Sequence, residues 1–144
     1  MSVADIRYFI KLAITFLGST FCWFIGKYDG IFYTLIAFIT ADYISGVACA
    51  IYERKLSSEV GFRGIAKKVL IIILVGIANL LDMYVLKTAD ILRVIVGMYY
   101  IANEGLSIVE NAVRLGLPVP KKLRDVLVQL KNKGDTEDGS AEQK

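Results

Sequence analysis

Residues 69–86 read VLIIILVGIANLLDMYVL, and this stretch decides the fold class of the chain. Its 18 residues include a single side chain that is charged at neutral pH, Asp82. A helix of that length rises about 27 Å at about 1.5 Å per residue, which is close to the hydrocarbon core of a bilayer, about 30 Å thick. The stretch therefore predicts a transmembrane helix.

Apolar residues also fill three further segments, which predict spans at about 12–25, 31–52 and 91–113. Hydrophobic residues make up 56% of the chain and the mean hydropathy is +0.55, whereas soluble domains contain about 45–50% apolar residues. We therefore predict an all-α integral membrane protein whose transmembrane helical domain, residues 1–116, contains about four transmembrane helices. Segment 12–25 is the weakest of the four, because it is short and basic residues crowd its start.

The basic residues are distributed unevenly between the two ends of the predicted spans. If all four segments span, 14 of the 17 lysines and arginines lie on the side that holds both termini and the loop 53–68. By the positive-inside rule that side is the cytoplasm. We therefore predict a multi-pass protein with both termini cytoplasmic. If segment 12–25 does not span, the N-terminus moves to the opposite side and the other three spans keep their orientation.

The C-terminal region is predicted to form a short helix outside the spans. The sequence GLPVP at 116–120 ends the last span, because glycine caps helices and proline cannot continue them. Apolar side chains then recur at helical spacing, at Leu123, Val126, Leu127 and Leu130. This spacing predicts a basic amphipathic cytoplasmic helix within 117–133, which either lies on the anionic inner leaflet or is solvated. Residues 134–144 have almost no apolar side chain and are predicted to be disordered.

Polar residues in segment 91–113 recur at alternating spacings of four and three, which places them on one face of a helix. This polar stripe consists of Arg93, Gly97, Tyr100, Glu104, Ser107 and Asn111. The other face is apolar and contains Ile95, Tyr99, Ala102, Leu106 and Val109. A charged residue at the centre of a transmembrane helix costs about 2.5–3.5 kcal/mol, so this segment needs partners for stable insertion. The polar stripe either lines water or contacts other copies in an oligomer, or it makes hydrogen bonds inside a rigid bundle.

Two other predicted spans contain polar groups at membrane depth. They are Asp42 in segment 31–52, and Asn79 and Asp82 in segment 69–86. Small side chains share a face of segment 31–52 with Asp42, namely Ala37, Ala41, Ser45, Ala48 and Cys49. Since small residues allow helices to approach closely in lipid, we predict that this face packs against another helix.

The composition argues against several functional classes. The chain has no histidine, and its two cysteines, Cys22 and Cys49, both lie in apolar segments, so zinc sites and disulfide frameworks are not expected. Without histidine the commonest general base is missing. The loop 53–68 is basic but lacks the aromatic residues and the size of a nucleic-acid module. We therefore predict no enzymatic activity, no catalytic residues, no cofactor, no metal and no nucleic-acid partner.

Two stretches of the chain carry a distinctive pattern. Residues 41–68 read ADYISGVACAIYERKLSSEVGFRGIAKK, with an Asp in a span, a Gly four residues later, a Ser-Ser pair, a Gly-x-x-Gly and a lysine-rich start of the next helix. Residues 103–123 read NEGLSIVENAVRLGLPVPKKL, an acidic helix that ends in Gly-x-Pro-x-Pro before a basic segment. Together with Asp82 late in the third span, this combination resembles the phage-lysis and toxin-secretion holin family, which includes the holin encoded beside clostridial large toxins. The resemblance covers about residues 41–125.

The resemblance implies a protein of the bacterial cytoplasmic membrane that contacts lipid, assembles into a homo-oligomer and forms pores or larger lesions. Such lesions release an endolysin, which leads to host cell lysis in the case of a bacteriophage, or they release a toxin. The endolysin is then a functional partner, with no direct contact required. Two alternatives stay open: a small proton-coupled transporter that uses Asp42 or Glu104, and a non-conducting antiholin or scaffold with nearly the same sequence.

Overall fold

The computed structural model describes residues 2–138, and it describes side chains as far as residue 133. This part of the chain is α-helical and contains no strand, which confirms the predicted fold class. The helices are α1 (Val3–Ile25), α2 (Gly30–Tyr52), α3 (Ser58–Leu80), α4 (Ile91–Arg114) and α5 (Lys121–Asp138), and a π-helical segment, Leu81–Leu86, continues α3 directly.

Four helices are long and apolar enough to cross a membrane, namely α1, α2, α3 with its π-helical continuation, and α4. They correspond to the four predicted segments. α1 and α3 begin well before the predicted starts at residues 12 and 69, because polar caps start each helix ahead of its apolar part. Ser2 accepts a hydrogen bond from the backbone N–H of Asp5, and Ser57 accepts one from Val60. These caps satisfy N–H groups that have no partner within the helix.

The helices form a bundle with two distinct ends. We call the end at which α2 finishes and α3 begins, residues 53–57, the inner end. The loops 26–29 and 87–90 lie at the opposite end, the outer end. The inner end is the one that the basic residues predict to be cytoplasmic.

α4 is the central helix and packs against α2, α3 and α5. The apolar core beside it consists of Leu35, Ile71, Val75 and Ile101. Gly105 of α4 is contacted from two sides, since a Cβ atom at this position would lie 2.7 Å from Leu127 of α5 and 2.9 Å from Phe38 of α2. The absence of a side chain at Gly105 therefore lets both helices approach α4 closely.

The small-residue face predicted on α2 is used over only part of its length. Cys49 is buried and Ser45 and Ala48 are half-buried, whereas Ala37 and Ala41 face outward within a single chain. In the outer half of α2 the contact face is formed instead by Leu35 and Phe38. Close packing in this half depends on a small residue of α4, Gly105, and α2 places the large side chain of Phe38 against it. The sequence predicts the opposite arrangement, in which α2 provides the small side chains.

α5 occupies the region in which the sequence predicts an amphipathic helix, but it extends to Asp138. The first five residues of the segment 134–144, predicted to be disordered, are therefore helical, and residues 139–144 lie outside the described part of the chain. Leu127 is buried against α4, and such tertiary packing stabilises helices beyond what their local sequence supports. Leu123 and Val126, on the same predicted apolar face, remain exposed.

α1 is held mainly through its last turns. Ile25 is its only buried residue among those described, and the ring of Phe24 lies against Gly76 of α3, where a Cβ atom would be 2.1 Å away. Elsewhere α1 exposes large hydrophobic side chains, as do the outward faces of α2, α3 and α4. Soluble monomers rarely expose apolar patches larger than a few hundred Å², so this exterior is suited to lipid.

Candidate functional site

An ionic layer crosses the middle of the bundle. It consists of Asp42 from α2, Lys68 from α3 and Glu104 from α4, and the Lys68 ammonium donates hydrogen bonds to both carboxylates. The side chains are only 12%, 16% and 9% exposed, respectively. Two carboxylates therefore share one ammonium group. No cluster of three metal-ligating side chains occurs among the residues with described side chains, and Lys68 itself bridges the two carboxylates.

Sequence reasoning missed Lys68, because it grouped this residue with the basic residues of the cytoplasmic loop. Lys68 stands immediately before the apolar stretch 69–86, and its aliphatic stem lets the ammonium reach the interior of the bundle. A signal was nevertheless present in the sequence. Asp42 and Glu104 both lie in apolar segments, and buried carboxylates need a cationic or hydrogen-bonding partner.

Hydrogen bonds continue from the ionic layer towards the inner end. The Asn111 amide donates to Ser45 Oγ at 3.0 Å and approaches Asp42 Oδ1 at 3.5 Å. Arg114 donates to Asn111 Oδ1 at 3.4 Å and binds Glu53 Oε1 through two nitrogens at 3.0 and 2.7 Å. Polar contacts therefore join α2 and α4 from the middle of the bundle to its inner surface.

A second polar group, which we call the outer cluster, is centred on Arg93 and joins α4 to the loop 26–29. The Arg93 side chain is 1% exposed. Its guanidinium donates to the backbone oxygen of Ile25 at 3.0 Å, to Asp29 Oδ2 at 2.9 Å and to the backbone oxygen of Lys27. The hydrogen bond from Arg93 holds the pKa of the Asp29 carboxyl below its usual range. A single buried guanidinium thus satisfies three acceptors, one at the end of α1 and two in the loop that follows it.

Asp82 and Asn79 complete the outer cluster by capping two helices. Asp82 accepts hydrogen bonds from the backbone N–H groups of Leu92 at 3.1 Å and Arg93 at 2.8 Å, and these groups begin α4. The Asn79 amide donates to two carbonyl groups in the last turn of α1, those of Trp23 and Phe24. Both residues are predicted from the sequence as polar groups at membrane depth, and the structure places them at helix ends, where backbone groups lack partners.

The polar stripe of α4 lies inside the single chain. Arg93, Gly97, Glu104 and Asn111 are buried, and Tyr100 and Ser107 are half-buried. Both charged members of the stripe pair with an oppositely charged group elsewhere in the same chain. Of the two interpretations offered above, hydrogen bonding within a bundle therefore describes the isolated chain. Lining water or contacting other copies in an oligomer stays a prediction.

A cavity of about 200 Å³ opens beside the ionic layer, between the inner halves of α2 and α3. Its lining includes Asp42, Gly46, Gly61, Gly64, Lys67 and Lys68, together with Tyr43 and apolar side chains. Asp42, the glycines and the lysines are conspicuous members of the pattern in 41–68. Most of the pattern in 41–68 is therefore gathered around one cavity next to the ionic layer, whereas the Ser-Ser pair and the second stretch, 103–123, lie outside its lining.

Comparisons with known proteins agree with this pattern. The bacteriophage holin family matches residues 19–132, a range that contains the ionic layer and the outer cluster. No solved structure matches the chain.

Similar proteins occur in Clostridium and Listeria species. An uncharacterised protein of Clostridium perfringens strain 13 is 42% identical over 126 residues, which cover 88% of this chain and 93% of the relative. An uncharacterised 14.9 kDa protein from the nagH 3′ region of Clostridium perfringens is 41% identical over 125 residues, or 87% and 95% of the two chains. An uncharacterised Listeria innocua protein is 42% identical over 130 residues, or 90% and 92%. With four helices suited to a membrane and a family match over most of its length, the chain belongs to the bacteriophage holin family.

Proposed function

We propose that the chain acts as a holin: its copies accumulate in the bacterial cytoplasmic membrane and then assemble into a homo-oligomeric lesion that releases an endolysin or a toxin. Membership of the holin family and the four apolar helices support this proposal. The uneven distribution of basic residues supports an orientation with both termini in the cytoplasm. Direct contact with the endolysin is not required.

The observation that carries the proposal is the internal pairing of the polar stripe. Glu104 is paired with Lys68, Arg93 with Asp29, and Asn111 with Ser45. Charged groups at membrane depth are tolerated when they are paired inside a bundle. A single copy can therefore reside in lipid without exposing these groups, which suits a protein that accumulates before it acts.

A water-filled lesion needs a polar surface at membrane depth, and the exterior of α1, α2 and α3 is mostly apolar there. The polar groups that can supply such a surface are those of the ionic layer and the polar stripe. We propose that assembly separates α4 from α2 and α3, so that Asp42, Lys68 and Glu104 exchange their mutual contacts for water. Hydration of the separated charges offsets the loss of the ion pairs.

A reversible lock between α2 and α4 tests this proposal. A Cβ atom at Gly46 would lie 3.8 Å from the Asn111 amide nitrogen, so Gly46→Cys with Asn111→Cys places two thiols in proximity. The background lacks Cys22 and Cys49. The variant is induced in a bacterium together with an endolysin that lacks its own export signal, and lysis is followed by optical density.

We expect lysis when the two thiols are reduced and no lysis after a membrane-permeant oxidant has closed the disulfide. Gly46→Cys alone and Asn111→Cys alone, each with and without the same oxidant, control for effects of oxidation and for the loss of the Asn111 amide. Lysis by the fully oxidised double variant would contradict the separation of α2 from α4. Absence of lysis from the unmodified chain, despite normal accumulation, would contradict the holin function. Resistance of the producing cells to particular substrates would then indicate a transporter. If production of the chain delays the lysis caused by a second holin, the chain is an antiholin.

A further inference from the structure

We infer that the cavity beside the ionic layer binds an anionic phospholipid from the leaflet at the inner end of the bundle. The head group lies in the cavity, its phosphate contacts Lys67 and Arg63 at the rim, and one acyl chain lies in an apolar groove between α2 and α3. The lipid binds a single chain, so the site does not depend on assembly of copies or on lesion formation.

Three glycines line this cavity, and packing within the chain does not require them. A Cβ atom at Gly46, Gly61 or Gly64 would lie 3.8, 3.8 or 3.4 Å from the nearest atom of a neighbouring helix, which is ordinary contact. At the glycines against which other side chains pack closely, the same distance is at most 2.7 Å, namely at Gly76, Gly97 and Gly105. Since glycine destabilises a helix relative to alanine, three glycines without a packing role indicate space kept for a ligand.

The rim of the cavity is basic. Lys67 lines both the cavity and an adjoining cleft of about 400 Å³ on α3, which Arg63 and Glu59 also line. Lys68 is held by the two carboxylates of the ionic layer, whereas Lys67 is exposed and forms no ion pair within the described part of the chain. Arg63 pairs with Glu59 at 3.0 Å, but both side chains are at least 70% exposed, and such surface pairs are weak. Lys67 and Arg63 are therefore available to a phosphate group.

The interior of the cavity suits a head group that carries hydroxyl groups. The Tyr43 hydroxyl lies 3.8 Å from the position of a Cβ atom at Gly61, and Tyr43 forms no hydrogen bond through its side chain within the described part of the chain. Asp42 also lines the cavity, and a carboxylate accepts hydrogen bonds. A glycerol attached to the phosphate can donate to Asp42 and exchange a hydrogen bond with Tyr43. Lys68 binds the Asp42 carboxylate, which weakens its repulsion of the phosphate.

The cavity adjoins an apolar groove of about 300 Å³ on its outer side, because Tyr43 and Lys68 line both. The rest of the groove is formed by α2 and α3, at Ile39, Thr40, Ile65, Val69 and Ile72. A lipid of the leaflet at the inner end has its head group towards that end and its acyl chains towards the bilayer centre. The order of polar cavity and apolar groove matches this orientation.

The combination of rim, cavity and groove selects the class of ligand. Basic pockets between transmembrane helices on the cytoplasmic side bind anionic lipid head groups, and the inner end is the one predicted to be cytoplasmic. A soluble anion would make no use of the apolar groove, and an apolar helix would make no use of Lys67. An anionic phospholipid with a glycerol head group uses all three parts.

Competition between two lipids with the same acyl chains tests the inference. The purified full chain in detergent is mixed with equal amounts of dioleoyl phosphatidylglycerol and dioleoyl phosphatidylcholine, and the lipids retained on the chain are identified by native mass spectrometry. We expect a single phosphatidylglycerol to be retained, several-fold in preference to phosphatidylcholine. Equal retention of the two lipids would overturn the inference.

Variants separate this site from the other basic surfaces of the chain. Gly61→Leu fills the cavity and Lys67→Gln removes the unpaired cation, so we expect each to reduce the preference for phosphatidylglycerol several-fold. Lys122→Gln is the control, because it removes the same charge from an exposed position of α5 and should keep the preference. Helix content is compared by circular dichroism. Equal losses from Lys67→Gln and Lys122→Gln would indicate unspecific attraction, and an unchanged preference in a folded Gly61→Leu would place the head group elsewhere.

Two further measurements distinguish other occupants of the site. Glycerophosphoglycerol, the head group without acyl chains, should not displace the lipid at equal concentration, because it cannot occupy the groove. Displacement would assign the site to a soluble anion. Energy transfer between labelled copies in pure phosphatidylcholine vesicles should be the same for Gly61→Leu and the unmodified chain. A loss of energy transfer in this variant would assign the glycines to contact with a second copy, and either result would overturn the lipid site.

The position of the lipid is measured with single cysteines in a chain that lacks Cys22 and Cys49. Val60 lines the cavity and the cleft, whereas Phe62 lines neither, and both side chains are exposed. Val60→Cys and Phe62→Cys are treated with an uncharged thiol reagent in phosphatidylcholine vesicles with and without phosphatidylglycerol. We expect phosphatidylglycerol to slow labelling several-fold at position 60 and to leave position 62 unchanged. Equal effects at the two positions would overturn the inference.

Discussion

Lys68 and Glu104 form an ion pair between α3 and α4, although 36 positions separate them in the sequence. The same ammonium binds Asp42 of α2, so three helices meet at one cation. The ionic layer thus contains two buried carboxylates, and the single ammonium can neutralise only one of them. This imbalance makes the effects of single substitutions in the layer predictable in sign.

Removal of the cation should be the most damaging change in the layer. Lys68→Met leaves Asp42 and Glu104 facing each other without a counter-ion, and removal of one partner of a buried ion pair costs about 3–5 kcal/mol. The free energy of unfolding, measured by detergent-induced denaturation in micelles, should fall by that amount. Lys67→Met is the control, because Lys67 is exposed and surface substitutions usually change stability by less than about 0.5 kcal/mol. Equal losses from the two variants would contradict the role of Lys68.

Removal of either carboxylate alone should be mild. Asp42→Asn or Glu104→Gln leaves one lysine with one carboxylate, so we expect each to cost about 1 kcal/mol or less. The double variant leaves the Lys68 ammonium without a carboxylate, and it should lose more than the sum of the singles. A double-mutant cycle in the same denaturation assay measures this difference. Additive effects, or unchanged stability in Asp42→Leu, would show that the layer does not hold the helices together.

The outer cluster should make stability depend on pH in acid. The hydrogen bond from Arg93 lowers the pKa of Asp29 in the folded chain. The ion pair between Asp29 and Arg93 therefore contributes its full stabilisation above the pKa of Asp29 in the unfolded chain, about 3.9. This stabilisation is lost as the pH falls through the lower pKa of Asp29 in the folded chain. Denaturation midpoints measured in detergent from neutral pH into this acid range should fall less steeply for Asp29→Asn than for the unmodified chain. An identical decline in both proteins would count against this ion pair.

The contact between α1 and α3 depends on Gly76. A leucine at this position would clash with the ring of Phe24, and we expect Gly76→Leu to cost about 1–3 kcal/mol by overpacking and to displace α1. Trp23, the single tryptophan of the chain, reports the displacement through a change in fluorescence as its contact with Tyr84 is lost. Gly18→Leu is the control, since no atom lies within 4 Å of a Cβ atom there. Addition of Phe24→Ala to Gly76→Leu should restore part of the loss.

The predicted orientation can be checked in intact cells. Single cysteines replace Ser2, Val60 and Lys122 in a chain that lacks Cys22 and Cys49. An impermeant thiol reagent added from outside should label none of them until the inner membrane is permeabilised, because all three positions are predicted to be cytoplasmic. Labelling at Ser2 alone would mean that α1 does not span and would leave the other three helices in place. Labelling at Val60 would reverse the orientation.

The position of most helices follows from local sequence, because helix formation depends on neighbouring residues. Long apolar runs, broken only by single polar positions such as Asp42, predict α2 and the apolar part of α3, and GLPVP predicts the end of α4. The starts of α1 and α3 are less evident from hydropathy, since the caps at Ser2 and Ser57 act before the apolar runs begin. Family membership could likewise be inferred from the pattern in 41–68.

The partners of the polar residues depend on tertiary structure. Helical periodicity places Glu104 and Asn111 on one face of α4, but it cannot say whether that face meets water, another copy or a neighbouring helix. The structure brings Lys68 to Glu104 because α3 and α4 pack at a particular depth and rotation, which no local pattern encodes. Likewise, the sequence by itself determined that α5 is amphipathic, whereas packing decided that Leu127 lies against Gly105 while Leu123 stays exposed. Burial and ion pairing are decided between helices distant in sequence, and for that reason only the folded bundle specifies them.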